Sequence, residues 1–539
     1  MIKTNHRKAG ILATAVAVAL LAAGCGGGEP GTSRPTTEVT KSEGVSLNAY
    51  GGAKLALGQP MKGGSLKAGV IAPIDSLDPT VALPTPGTSA AMAVYDTLMK
   101  IEPDGQAAPE MAESLTSTDN VHWTLKLRPG VTFTDGTPYD ADAVIAHLKR
   151  YASPESQARD AGQARQITSL KKANDLTVEL TVATKSVEFP LLLAGSAGMV
   201  PSPSEVRKAG KSFGLHPVGA GPFKVKSFQP GGDLVLERNP GYRDKNLPYL
   251  DRLTLTTATD TQARLSALKA GSLDLAPTQS VTDFKEAEKA GLTVLEQPAY
   301  TYFYIALNLS KPPFNDPNMR KALLEGIDTQ ALAKAVFEGQ QPPMKGWFTS
   351  NHPEFTKTAY PAYDPDHAKK LVDAYRAGGK SPDFTMTITS PPEFQRQASV
   401  IQQMLSDIGI KMSIGVSDQP TIITEAAAGN YVAQLRFIGM TLQTTTDLSI
   451  RFLSTSPGSI TKSGDPELDS IIKRLNVTPM DQRHDLYTQA QQKLTGWMPS
   501  IPLVQQVGGW IVGKQVGGFP GAQGEQTVDM FDARHLYAK

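Results

Sequence analysis

Residues 123–138 read WTLKLRPGVTFTDGTP, and this stretch carries the clearest structural pattern in the chain. Its first five residues, 123–127, alternate between apolar and polar side chains, which predicts a strand with one buried face. Arg128-Pro129-Gly130 predicts a turn at the end of that strand, and Asp135-Gly136 predicts a second turn. The stretch therefore predicts a half-buried antiparallel strand followed by tight turns.

Helix and strand patterns interleave on both sides of this stretch. Residues 65–71 have a strand pattern, whereas residues 89–99 carry apolar residues at helical spacing. Asp140 predicts the N-cap of a helix that starts beside it. Three Asp-Pro pairs predict further helix starts, because Asp caps a helix and proline fits its first position; they are Asp316-Pro317, Asp364-Pro365 and Asp465-Pro466. The alternation indicates an α/β architecture.

Several segments, read in chain order, match one family of binding proteins. They are Lys62–Gly69 (KGGSLKAG), Ser76–Pro79 (SLDP), residues 123–138, Pro217–Phe223 (PVGAGPF), Leu236–Tyr242 (LERNPGY) and Lys311–Asp316 (KPPFND). Together they resemble the extracytoplasmic solute-binding proteins of the peptide/nickel type, family 5, which feed ABC importers. The resemblance runs from about Lys62 to the C-terminus.

This resemblance implies an α/β, two-lobed, periplasmic-binding-protein-like fold (type II, cluster C) with a hinge and an inserted subdomain. Lobe I would comprise residues 60–85, 206–297 and 506–539, and lobe II residues 298–505. Residues 86–205 would form the inserted subdomain. The chain would cross between the lobes near Pro298–Tyr300 and again near Val504–Gly508.

The first 59 residues predict export and anchoring. A basic start and the apolar run Ile11–Ala23 are typical of a secretory signal, and thirteen apolar residues are too few to span a membrane. Residues 21–25 (LAAGC) resemble the bacterial lipoprotein box, which implies a signal peptide over 1–24 and lipidation of Cys25 on the extracytoplasmic face of the cell membrane. A transmembrane anchor and an ordinary signal cut are the alternatives. Residues 25–59 are rich in small and polar residues and predict a flexible stalk.

The composition excludes several function classes. The chain has 53 Lys+Arg against 52 Asp+Glu, which gives no electrostatic reason to expect nucleic acid. A single cysteine excludes a disulfide scaffold and a zinc site built on cysteines. The eight histidines are scattered without metal-ligand spacing, so we expect no metal and no cofactor. Residues 210–214 match the G-x-S-x-G pattern of serine hydrolases, but no buried strand precedes Ser212.

Aromatic residues after the first predicted crossover are candidate ligand contacts. Tyr302 and Tyr304 alternate with Phe303, so they share one face of a strand. Family tyrosines at this place can line the cleft, and core packing is the alternative. Trp347 follows Pro342-Pro343 in a predicted loop, where its ring could stack on a ligand or pack in the core.

The family's specificity segment falls within residues 431–452. Peptide-binding members carry an acid there that pairs with the α-amine of the peptide. In this sequence the aligned position is Thr441 or Gln443, and Asp447 is the nearest carboxylate. Asp447 could replace the acid or cap the next helix, and Arg436 could meet a ligand carboxylate or lie on the surface. These departures from the family pattern leave open a small polar solute other than a free peptide.

The sequence thus predicts a lipid-anchored, monomeric substrate-binding component of an ABC importer. It would capture a peptide or a similar small polar solute between two lobes and deliver it to the permease subunits, without catalysis. A tethered solute sensor or adaptor that does not import is the alternative. An extracytoplasmic hydrolase acting through Ser212 is a further alternative.

Overall fold

The computed structural model of the chain describes residues 45–47, 53–55, 59–83, 85–102, 105–440, 443–456, 459–519 and 530–539. The predicted signal segment, Cys25 and most of the predicted stalk lie outside these residues. Within them the chain alternates helices and strands, which confirms the α/β class. No helix in the described ranges has the length and hydropathy needed to cross a bilayer.

Ten strands form one large mixed sheet, in the spatial order β10-β11-β12-β3-β13-β18-β14-β17-β15-β16. A second sheet has four antiparallel strands in the order β6-β7-β9-β8. The strand pairs β1-β2, β4-β5 and β19-β20 stand apart from both sheets. The bounds are β1 Val45–Leu47, β2 Ala53–Leu55, β3 Ser65–Val70, β4 Met99–Ile101, β5 Ala107–Pro109, β6 Ala112–Thr116, β7 His122–Leu127, β8 Ile167–Asn174, β9 Thr177–Val182, β10 Phe223–Phe228, β11 Asp233–Arg238, β12 Arg252–Thr257, β13 Leu275–Thr278, β14 Thr293–Leu307, β15 Phe384–Ile388, β16 Met412–Val416, β17 Ala433–Gly439, β18 Ser500–Val512, β19 Val516–Gly517 and β20 Tyr537–Ala538.

Two long strands, β14 and β18, join the two halves of the large sheet. The first part of β14 pairs with the end of β18, next to β13, and the last part of β14 pairs with β17. The register of β14 against β18 shifts between Pro298 and Tyr302. Each such shift bends a strand locally. The first half of the sheet (β10–β12, β3 and β13) is therefore connected to the second half (β15–β17) through two bent strands.

The helices begin where the sequence predicts a cap. Asp140, Asp316, Asp364 and Asp465 each accept a hydrogen bond from a backbone N–H in the first turn, as expected for N-cap residues. The bounds are α1 Thr85–Tyr95, α2 Ala141–Tyr151, α3 Ala161–Ala164, α4 Phe189–Leu192, α5 Pro203–Ala209, α6 Thr261–Lys269, α7 Val281–Lys289, α8 Pro317–Gly326, α9 Thr329–Phe337, α10 Pro365–Ala377, α11 Pro392–Asp407, α12 Gln419–Ala428, α13 Thr444–Phe452, α14 Pro466–Leu475 and α15 His484–Trp497.

The four-stranded sheet has a core of its own. The strand predicted from residues 123–127 is confirmed as β7, whose exposure alternates along the strand. Its inward side chains pack with α2 and α4, and the rings of Trp123 and Phe189 lie 5.4 Å apart between centroids. We call this sheet with α2, α3 and α4 the four-stranded unit.

Two local predictions differ from the structure. The helix predicted over 89–99 ends at Tyr95, because Asp96 takes the left-handed backbone conformation (φ 54°) and Met99 begins β4 instead. The predicted stalk contains the antiparallel pair β1-β2, and the Leu55 N–H donates to the carbonyl of Phe519. Apolar Leu55 also packs partly against the core of the first half, which explains why this end of the segment contacts the body.

Candidate functional site

A cavity of about 660 Å³ lies beside the two long strands, and we call it the hinge cavity. Residues 278–280, which follow β13, line it from the first half of the sheet. Residues 336–341, at the end of α9 and after it, line it from the second half, and Gln506 of β18 lies between. Pockets of several hundred Å³ are typical of small-molecule sites.

The sides of the hinge cavity differ in chemistry. Phe303 and Phe337 stack with ring centroids 5.6 Å apart and an interplanar angle of 25°. On the other side the Thr278 hydroxyl donates to Asp283 at 2.7 Å. Gln341 is 6% exposed, and its Oε1 has no hydrogen-bond partner among the described residues. The cavity thus offers an apolar surface together with hydroxyl and amide groups.

A smaller cavity of about 150 Å³ lies along α1, and we call it the α1 cavity. It is lined by residues between 81 and 101 around α1, by Glu110, by the segments 159–160 and 194–196 with Met199 beside the four-stranded unit, by Gln443 before α13, and by residues 530–534 near the C-terminus. A solute bound here would contact both halves of the molecule and the four-stranded unit at once.

One end of the α1 cavity is a closed ionic network. The Tyr242 hydroxyl donates to Asp96 at 2.7 Å, and Arg534 lies 3.3 Å from Glu110 and 2.8 Å from Asp532. Burial alone would raise the pKa of Asp532, but the Arg534 guanidinium holds it well below its usual range. Burial likewise opposes the charge of Arg534, and Asp532 raises its pKa. Arg243 pairs with Glu110 and lies 3.6 Å from Asp96. We name Asp96, Tyr242, Glu110, Arg243, Asp532 and Arg534 the closed network.

The acid predicted from the specificity segment lies behind Arg159, a residue that lines the other end of the α1 cavity. Asp447 is 2% exposed, and its Oδ1 lies 3.3 Å from Arg451 and 3.6 Å from Arg159. Asp447 is thus engaged by two arginines and does not line the cavity. Gln443 and Asp160 do line it. A carboxylate, an amide and a compensated charge pair therefore meet at this end.

The predicted aromatic contacts share one packed cluster. Tyr302 and Tyr304 are each 2% exposed and their ring centroids lie 6.2 Å apart. Trp347 is 1% exposed, and its Nε1 donates to the Ser500 hydroxyl at 3.1 Å. Burial raises the pKa of Tyr302. All three side chains pack with α13–α15, and neither cavity is lined by them. Their contact with a solute stays a prediction.

Arg436 lies on β17 directly opposite Tyr304 of β14. Its side chain is half-buried, and it lines neither cavity. The next residue, Phe437, is 41% exposed and pairs in register with Phe303 of the hinge cavity. A role of Arg436 in binding a ligand carboxylate therefore stays a prediction.

A buried ion pair joins the four-stranded unit to the second half. Glu188, just before α4, pairs with Arg483, and their side chains are 4% and 1% exposed. Glu188 also accepts hydrogen bonds from the Thr446 N–H at 3.2 Å and hydroxyl at 3.0 Å. Arg483 donates to the Thr445 hydroxyl at 3.1 Å. Burial opposes the charge of Arg483, but Glu188 raises its pKa. We call Glu188–Arg483 the bridging ion pair.

The structure offers little for the alternative chemistries. The Ser212 hydroxyl donates to the Ala209 carbonyl at 2.7 Å, and in the described residues it bonds to no histidine or carboxylate. The segment around it, residues 210–215, is a short 3₁₀ helix on the surface. Across the described ranges no group of three or more His, Cys, Asp or Glu side chains is placed to hold a metal ion.

Sequence analysis missed Asp160, Glu188 and Arg483. Asp160 precedes the small residues of α3, so it looks like an ordinary N-cap, and Glu188 lies in a short polar segment. Glu188 and Arg483 are 295 residues apart in the chain. No local pattern signals a pairing at that separation, so only the tertiary fold could reveal it.

Comparison with known proteins gives one consistent result. The family model described as bacterial extracellular solute-binding proteins, family 5 Middle, matches residues 106–459. The glutathione-binding protein GsiB of Pectobacterium atrosepticum is 28% identical over 448 residues, covering 80% of this chain and 86% of that relative. The protein of the same name from Salmonella typhi is 30% identical over 349 residues, covering 64% and 67%.

Solved structures share the fold. The oligopeptide-binding protein AppA of Bacillus subtilis, in complex with a nonapeptide, aligns with a TM-score of 0.76 at 21% identity, covering 89% of this chain and 100% of that one. AgaA of A. tumefaciens R10, in complex with agropinic acid, aligns with a TM-score of 0.75 at 23% identity, covering 88% and 99%. The two-lobed architecture with a large mixed sheet is thus confirmed.

Proposed function

Because the chain belongs to the bacterial extracellular solute-binding proteins of family 5, we propose that it is the substrate-binding component of an ABC importer. It captures a peptide or a similar small polar solute, of the size of glutathione, between its two lobes. Relatives that are 28% and 30% identical to this chain are glutathione-binding proteins, which supports this solute class.

The observation that carries the proposal is the lining of the α1 cavity. Several segments meet there: residues around α1, residues 530–534, the segments beside the four-stranded unit and Gln443 before α13. A solute in contact with all of them would hold the lobes together, since its polar groups lose their hydration only when every segment is in place. Closure around the solute is the signal that a permease can recognise.

The remaining parts of the proposal concern location. Cys25 carries the lipid, residues 25–59 tether the body, and the protein works as a monomer at the extracytoplasmic face of the membrane. Two or more acyl chains on one residue suffice for stable anchoring. A tether raises the effective concentration of the binding protein beside its permease.

A thermal-shift screen of the detergent-solubilised full-length protein tests the function. The panel contains glutathione, di- and tripeptides, an opine and a sugar. A solute present at one hundred times its Kd stabilises the folded protein by about 2.7 kcal/mol. We expect glutathione or a short peptide to give such a shift, with one site per chain by calorimetry.

A cavity-filling variant supplies the control. Thr85 lines the α1 cavity and is half-buried, so Thr85→Phe is expected to remove the shift. Thr168→Phe, on an exposed position of β8, is expected to keep it. A screen in which no solute stabilises the protein, or in which Thr85→Phe keeps the full shift, would contradict the proposal.

A further inference from the structure

We propose that Asp160 binds the ammonium group of the solute, so that the solute is a free amine even though the aligned family position is Gln443. This inference rests on the proposed function and names its specificity.

The Asp160 carboxylate faces the α1 cavity. Asp160 lines that cavity, and its Oδ2 lies 4.0 Å from the point where a Cβ on Gly195 would stand, on the facing loop that also lines it. The side chain is half-buried. Its surroundings disfavour an uncompensated charge: burial raises the pKa of Asp160, Arg159 lowers it, and Asp447 raises it further.

The same carboxylate is not used by the fold. Asp160 precedes α3 but makes no side-chain capping hydrogen bond. Within the described residues its oxygens take part in no hydrogen bond or ion pair. A half-buried carboxylate without a partner costs stability, because it loses hydration and gains nothing in return. Such a group is explained if its partner is the solute.

The charges that line the α1 cavity leave an excess of acid. Among the described residues the lining contains four carboxylates, of Asp96, Glu110, Asp160 and Asp532, and three cations, of Lys100, Arg159 and Arg534. Lys100 is paired outside this set, with Glu102 at 2.7 Å. Arg243, which does not line the cavity, adds a cation beside Glu110 and Asp96. Among the described residues Asp160 is then the lining carboxylate that has no ion pair, which favours a cationic group beside it.

Asp160 alone among these acids can receive that group. Asp96, Glu110 and Asp532 belong to the closed network, where Arg534 and Arg243 compensate them. Asp447, the acid that the sequence favours, is engaged by Arg159 and Arg451.

Gln443 lines the same cavity as Asp160. An ammonium group has three N–H donors, and the Asp160 carboxylate can accept from it while it supplies the opposite charge. Charge-assisted hydrogen bonds of this kind are roughly twice as strong as neutral ones.

The test compares matched amines on full-length protein by calorimetry. The probes are glutathione, tri-alanine and their N-acetyl derivatives, which lack only the positive charge and its donors. We expect the parent protein to bind at least one free amine at least tenfold more tightly than its acetylated form. Asp160→Asn should abolish this preference, because it weakens binding of the free amine and leaves binding of the acetylated form unchanged. Glu155→Gln, an exposed acid five residues earlier, should keep it.

The outcomes separate this inference from the proposed function. If the free and acetylated forms bind equally to the parent, or if Asp160→Asn keeps the preference, the role of Asp160 is overturned while solute binding stands. If Asp447→Asn rather than Asp160→Asn abolishes the preference, the acid is the one favoured by the sequence. If no probe binds to a correctly folded protein, both the inference and the proposed function fail for this solute class.

Discussion

The two ends of the α1 cavity contain the same kinds of side chain and use them differently. At one end the closed network gives every carboxylate a guanidinium or hydroxyl partner, which strongly lowers the pKa of Asp532, whereas burial still raises the pKa of Asp96. At the other end Asp160 has a raised pKa and no protein partner among the described residues. Buried charges that are paired within the fold maintain its structure, whereas a charge left unpaired beside a cavity is available for a ligand.

Breaking the closed network should have the largest effect on stability. Arg534→Met leaves Asp532 buried without its guanidinium and leaves Glu110 with Arg243 as its remaining partner. Losing one partner of a buried pair costs about 3–5 kcal/mol. The free energy of unfolding from urea titration at pH 7 measures this. Arg207→Met, at an exposed arginine of α5, should change it by less than about 0.5 kcal/mol. Equal effects of the two substitutions would show that the network is not structural.

The buried, neutral His147 should give the next largest effect, which is a dependence of the free energy of unfolding on pH. Burial, with help from Arg150, lowers the pKa of His147 in α2 to about 4. The unfolded chain, with a histidine pKa near 6.5, binds the proton more readily, so stability falls as pH drops from about 6.5 to about 4 and then levels off.

The loss attributable to His147 should reach about 3 kcal/mol, at 1.36 kcal/mol per unit of pKa difference. His147→Leu should remove that part of the pH dependence, measured as the free energy of unfolding at pH 7 and pH 4.5 in both proteins. His122→Leu, at an exposed position, is the control. If the parent and His147→Leu lose equal stability over this range, the buried neutral histidine is ruled out.

The bridging ion pair should affect both affinity and stability. Glu188→Gln leaves Arg483 buried without its carboxylate where the four-stranded unit contacts the second half. We expect the Kd of the solute to rise about tenfold to a hundredfold, equivalent to about 1.4–2.8 kcal/mol. The free energy of unfolding of the unliganded protein should fall by about 1–3 kcal/mol. Glu179→Gln, an exposed acid on β9, should leave the Kd unchanged. An unchanged Kd in Glu188→Gln would show that closure does not depend on this pair.

The smallest effect should distinguish Asp160 from Asp447 without any ligand. Asp160→Asn removes an uncompensated charge, so the unliganded protein should gain up to about 1 kcal/mol of stability at pH 7. Asp447→Asn removes a paired charge and should lose about 1–3 kcal/mol. Urea titration of both variants measures the difference. A loss of stability in Asp160→Asn would indicate that Asp160 serves the fold and not the solute.

Local chemistry explains which parts of this arrangement the sequence could predict. Asp140, Asp316 and Asp465 cap helices because an Asp side chain meets the first-turn N–H groups whatever surrounds it. The strand at 123–127 follows from its alternating pattern alone. The family segments then implied the two-lobed fold, which the comparisons confirm.

The site was harder to predict because it depends on distant partners. Asp447 is the only carboxylate near the specificity segment in the sequence, but Arg159, nearly three hundred residues earlier in the chain, engages it in the fold. Tyr302 and Trp347 have the residue types of a binding cleft, yet they pack in a cluster with α13–α15. Residue type and spacing carry no information on which acid remains unpaired.

A crystal structure of the protein with its tightest free-amine solute would locate the bound amine. We expect the ammonium nitrogen in the α1 cavity within about 3 Å of an Asp160 carboxylate oxygen, the usual length of such a hydrogen bond. A solute whose amine contacts Asp447 instead, or which binds outside the space between the two lobes, would contradict this expectation.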